Sequence, residues 1–174
     1  MAKAIRLETE NLPKVRQPVI GVFSPCDPRI DPASRKRSAN IIKMAAEVIA
    51  RGVRLADGTP VRVVYSDVLI DGEPQADLVA RQFEAAGANV LVAVPDTWAF
   101  PQLSLISFIQ QFPKETPLNL TCGNSGPKPG VVYAHACSGA LSQYGRLVHL
   151  NVGNWPDTGQ NPRMSEATET ALVD

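Results

Sequence analysis

The sequence is poor in the residues that would point quickly to a function. It holds two histidines and three cysteines in 174 residues, and its 17 basic and 17 acidic side chains cancel. A chain without charge excess lacks the electrostatic footprint of a nucleic-acid binder, so no nucleic-acid partner is expected. No apolar run approaches the roughly 18 residues of a membrane span, so no membrane partner is expected either. The start, MAKAIRLETENLPKVRQ, has no apolar stretch of the kind a secretory leader carries, and reads as a cytoplasmic amino terminus. Cys26, Cys122 and Cys137 cannot all pair with one another and none falls in a CxxC spacing; buried, reduced thiols are expected. HExxH, GxxxxGK[ST] and GxSxG are all missing, and no carboxylates cluster at ligand spacing. His135 and His149 fall within a helical and a strand pattern, and each is expected in packed structure rather than on a metal.

What is present is a regular alternation. Short apolar runs at 18–24, 61–66, 89–95, 117–122 and 146–152 read as strands. Between them lie helical patterns. Asp31-Pro32 supplies an N-cap and a first-turn proline to a helix that runs to about Gly52. Segment 73–87 ends on Gly87 as a C-terminal stop, 102–111 is a shorter helix, and 129–145 opens on a proline and closes on Gly145. Five strands separated by four helices predict an α/β three-layer sandwich with a five-stranded parallel sheet, flavodoxin-like or Rossmann-like. Residues 1–17 read as an N-terminal extension, 18–156 as a single α/β domain, and 157–174 as a polar tail or linker, loosely held.

Ligands of such sheets bind beyond the carboxyl ends of the strands. The candidate loops are SPCDPRID (24–31), SDVLIDG (66–72), PDTWAFPQ (95–102), TCGNSGPKPG (121–130) and VGNWPD (152–157). They carry Asp27, Arg29, Asp31, Asp67, Asp96, Asn124, Asn154 and both tryptophans, Trp98 and Trp155. Aspartate, proline and glycine are also ordinary turn chemistry, and an indole at a loop end serves packing as readily as binding. The first loop has no glycine with which to approach a pyrophosphate. The fourth leads into a helix amino terminus, which suits either an anion cradle or a tight structural turn. A phosphoacceptor receiver plan is imitated by Asp27 and Asp96. It fails on the missing acidic pair after the first strand and the missing lysine after the fifth.

The segment GNSGPKPGVVYAHACSGALSQYG (123–145) resembles the L-fucose isomerase family, whose first domain carries a GxNGxxxPGxVYxxAxxxAxSQxG pattern. Asn124, Gly126, Pro129, Gly130, Tyr133, Ser142, Gln143 and Gly145 fall in step with it, allowing a small shift in the first glycines. IGVFSPCDPRID is similar to the family's opening strand and Asp-Gly-Arg-Arg loop, with Asp27 and Arg29 in register and Pro28 replacing glycine. VPDTWAFP matches a strand end with a tryptophan in the same place, and YSDVLIDG the second strand and turn. FSPC and Ile30 depart from the pattern, which bears on sugar specificity.

The resemblance covers residues 18–160, the first of three domains. It implies an aldose–ketose isomerase of carbohydrate metabolism, acting on L-fucose and D-arabinose, with Mn2+ held by a glutamate, an aspartate and a histidine of the second and third domains. It also implies a hexamer in which this domain walls part of a neighbouring subunit's sugar pocket. No metal ligand and no catalytic residue is then expected in this chain, and no turnover by it alone. Trp98 is the expected wall, since an indole face stacks on a sugar's C–H face, with Arg29 and Asp27 as the other substrate-binding residues. The competing reading is a free-standing, non-catalytic small-molecule-binding or assembly module on the same fold.

Overall fold

Strand β1 (Val19–Phe23) is paired on both sides: Val22 lies opposite Tyr65 of β2 (Arg62–Tyr65) and opposite Val92 of β3 (Val90–Ala93). The computed structural model describes residues 16–100, 104–122, 129–152 and 162–174. Beyond β3 come β4 (Leu118–Cys122) and β5 (Val148–Val152), all parallel, in the order β2-β1-β3-β4-β5. This is the flavodoxin-like order, and the expected three-layer sandwich is what the chain forms. The order matters for function, because connections leave β1 and β3 in opposite directions. A crevice therefore opens beyond their carboxyl ends.

The helices begin and end where local chemistry dictates. In α1 (Pro32–Gly52) the Asp31 carboxylate accepts from the Ser34 N–H at 2.9 Å, and Pro32 occupies the first turn. Helix α2 (Glu73–Ala86) stops at Gly87, whose φ of 77° is left-handed and cheap only for glycine. Helix α3 is short (Leu105–Ile109), less than the 102–111 the pattern suggested, and 101–103 lie outside the described residues. Helix α4 spans Val131–Gln143 and is closed by Gly145 at φ 68°.

One face of the sheet presents Ile20, Val22, Val92 and Val94 to Ile41, Ile42, Ala45 and Ile49 of α1. The other presents Phe23, Leu91, Ala93 and Leu120 to α2, α3 and α4. There Phe23, Phe83 and Phe108 form a ring cluster, with centroids 4.3 Å apart for Phe23–Phe108 and 5.8 Å for Phe83–Phe108. Each fully buried phenylalanine contributes roughly 1.5–3 kcal/mol by burial.

The loosely held tail is corrected in part. Residues 162–174 include a further helix, α5 (Glu166–Val173), capped by Ser165, which accepts from the Thr168 N–H at 3.2 Å. It lies on α1, burying Leu172 and setting the Val173 side chain against Gly52. Residues 153–161, with Asn154, Trp155 and Asp157, and 1–15 of the predicted extension lie outside the described residues. His135 and His149 are also corrected: both are solvent-exposed, one on α4 and one on the edge strand β5.

Candidate functional site

The loops after β1 and β3 meet beyond the crevice. The Asp27 N–H donates to the Trp98 carbonyl at 2.7 Å, so the two loops are joined through main chain. Asp27 is 2 % exposed. Its carboxylate accepts from the Arg29 N–H at 2.8 Å, from Nε at 3.0 Å and from Nη2 at 2.7 Å. This is a fork-to-carboxylate pair closed by a main-chain bond, and it fixes the guanidinium plane. The hydrogen bond to Asp27 raises the Arg29 pKa above its ordinary value, so the group is a permanent cation. Its outer face stays open, with 73 % of the side chain exposed.

A chain of three aromatic rings starts at this cation. The guanidinium carbon lies 5.2 Å from the Phe100 ring centroid. Phe100 meets Tyr133 edge-on at 6.3 Å, and Tyr133 is 6.2 Å from Trp98. Trp98 is 40 % exposed. Its neighbours Thr97 and Ala99 are buried, so the loop is seated while the indole is not. A fixed donor beside partly exposed ring faces suits a ligand with hydroxyls on one side and C–H groups on the other.

The remaining candidates divide. Asp96, on the Trp98 loop, is 3 % exposed and accepts from Arg37 Nε at 2.9 Å. Its carbonyl accepts the Gly130 N–H at 3.0 Å. Asp31 is the α1 cap, the turn chemistry weighed for it. Asp67 is exposed. Asn124 lies outside the described residues, as do 123–128 of the fourth loop as a whole. Sequence reasoning did not single out Arg37, Phe100 or the Arg35–Asp71 pair at 2.6 Å. Arg37 left a signal: it precedes Ile41 by four residues and so falls on the apolar face of α1, where a charge needs a partner.

The cysteines are free and buried, as expected. Burial pushes the Cys26 thiol up to about 11, Cys122 to about 11 and Cys137 to about 12. Thiols held protonated in this way are poor nucleophiles at neutral pH. Among the described residues no three His, Cys, Asp or Glu side chains gather to hold a metal ion. The manganese that the resemblance implies therefore finds no fitting ligand set among these side chains. Among the described residues no helix is long and apolar enough to cross a membrane.

A parallel sheet of this order, with polar and aromatic loops gathered at the β1/β3 crevice, defines a doubly wound α/β domain. The family profile described as L-fucose isomerase, first N-terminal domain, matches residues 17–174, and the chain belongs to that family. The match includes the segment 157–174. The L-fucose isomerase of Bacteroides fragilis is 28 % identical over 153 residues, which cover 81 % of this chain and 25 % of that protein. Those of Phocaeicola vulgatus and Bacteroides thetaiotaomicron are each 24 % identical over 133 residues, covering 75 % of this chain and 22 % of theirs. The chain spans about a quarter of the length of these relatives.

Proposed function

We propose that this domain serves an aldose–ketose isomerase by walling a sugar pocket whose chemistry belongs to other domains. The observation that carries the reading is Trp98, partly exposed on a seated loop and joined through its carbonyl to the Arg29-bearing loop. Trp98 offers a ring face to the C–H side of L-fucose, D-arabinose or a similar sugar. Arg29, held by Asp27, donates to hydroxyls on the other side. Proton transfer between neighbouring carbons needs a positioned acid and base and a means of polarising the sugar oxygens. In this reading those groups, Mn2+ included, come from domains outside this chain, and the pocket completed here belongs to a neighbouring subunit of a cytoplasmic homo-oligomer. The fit of this chain to only a quarter of its relatives supports a division of labour of this sort.

The test is an isomerase assay with L-fucose and D-arabinose plus Mn2+. It is run on the 174-residue chain and on the same chain completed by the remaining domains of the Bacteroides fragilis L-fucose isomerase. Activity in the completed protein alone is the expected result. Turnover by the short chain would place the chemistry here and overturn the division. Silence from both would favour a free-standing binding module.

A further inference from the structure

We infer that the buried Arg37–Asp96 ion pair is the positioning element of the Trp98 loop, fixing where the indole stands and with it the affinity for the ligand. The inference rests on the reading of Trp98 as the sugar-facing wall. Asp96 lies two residues before Trp98, and both partners are withdrawn from solvent, with 11 % of the Arg37 and 3 % of the Asp96 side chain exposed. The 2.9 Å bond from Arg37 Nε ties the loop to the second turn of α1. The Asp96 carbonyl ties it to the start of α4 through the Gly130 N–H. Two residues on, the Trp98 carbonyl ties it to the loop after β1 through the Asp27 N–H. The segment Asp96 to Trp98 is thus anchored to three separate elements, and the side-chain anchor is charged.

The physical argument turns on direction. Apolar residues of similar volume would fill the space beneath the loop, often at no loss of stability. They would not set the Asp96 side chain to one orientation, whereas a charge-assisted hydrogen bond does. Arg29–Asp27 differs in kind, because its cation is largely exposed and faces the ligand side. Arg37 reaches no such surface. Its role is to hold the wall, not to touch what the wall contacts.

Replacing Trp155 by phenylalanine leaves Trp98 as the sole tryptophan, since the chain holds two, and its fluorescence then reports this loop alone. In that background Arg37→Lys and Asp96→Asn are expected to raise the acrylamide quenching constant of Trp98 about twofold by local opening, with far-UV circular dichroism unchanged. In the completed enzyme the same substitutions are expected to raise KM for the sugar about tenfold while kcat stays within about twofold. Unaltered quenching in folded variants overturns the inference. Should a variant fail to fold, the parent chain decides. The amide hydrogens of Asp27 and Gly130 must exchange as slowly as those of β1 and β3, and loop-like exchange overturns it. A rise in quenching with sugar kinetics unmoved, both here and in Trp98→Ala, upholds the positioning role. In that case the sugar-facing reading is the one that falls.

Discussion

The main-chain N–H of Asp27 and the carbonyl of Trp98 lie 2.7 Å apart, and this bond makes one surface of two loops. Asp27 also grips Arg29 through three hydrogen bonds, so the cation and the indole share a base. Neither group is free to drift from the other.

Removing the indole tests that shared surface directly. Trp98→Ala is expected to raise the sugar KM of the completed enzyme about tenfold, because a stacking face is lost and the buried frame is kept. Trp98 is 40 % exposed. The covered part of the ring packs on Tyr133, so the variant should lose about 1–3 kcal/mol in thermal unfolding while the fold is kept. An unmoved KM and kcat would remove Trp98 from the pocket.

Two glycines of similar appearance should respond with opposite signs. A Cβ at Gly130 would overlap the Pro95 carbonyl oxygen and stand 2.6 Å from its carbon and 2.8 Å from the Asp96 carbon. Those atoms are backbone and cannot swing aside, so Gly130→Ala should cost about 1–3 kcal/mol or more. At Gly139, mid-helix in α4, nothing lies within 4 Å of the added Cβ. Gly139→Ala should stabilise by about 0.5–1 kcal/mol. Urea unfolding of the two variants checks both signs.

The cysteines set an alkaline limit. Burial raises Cys122 and Cys137 from 9.0 to about 11 and about 12, so the folded state holds these protons more tightly than the unfolded chain does. Between those values the unfolded state binds fewer protons, and stability falls as pH rises. The contribution is thus fully present below the unfolded value of 9.0 and is lost on the way to about 11 and about 12. From neutrality up to the first limit urea midpoints should be level, and they should decline above it. The decline should be shallower in a Cys122→Ala/Cys137→Ala chain, and an equal slope would assign it to other groups.

At the start of α1 the Asp31 carboxylate accepts from both the N–H and the hydroxyl of Ser34, at 2.9 and 2.8 Å. Asp31→Ala should cost about 1 kcal/mol. Asp31→Asn, which keeps an acceptor, should recover most of that in thermal denaturation.

Much of this architecture was legible because each strand is announced by a β-branched run and each helix by its own punctuation. Asp31-Pro32, Gly87 and Gly145 mark helix ends by backbone chemistry that needs no tertiary context. Helix α5 escaped because its apolar content is slight: only Leu172 and Thr168 of it are buried, and its support comes from α1 and from Asn151 of β5. The histidines misled for a related reason. A helical or strand pattern gives the period of burial but not which edge of the sheet goes uncovered, and β5 is an edge. At the site, Trp98, Arg29 and Asp27 stood out by residue type and loop position, and the structure brings them together. Arg37 did not, since its partner lies 59 residues away. Helical phase alone could have flagged it as a charge on an apolar face.

The contact between Val173 and Gly52 has a consequence for reach. Gly52 ends a helix of 21 residues whose first turn borders the Arg29 loop. At 1.5 Å per residue that helix is about 30 Å long. Any polypeptide continuing past Asp174 therefore sets out from the pole opposite Trp98. To return to that face within one molecule it would need about nine extended residues of tether for the distance alone. A second molecule abutting the Trp98 face needs none.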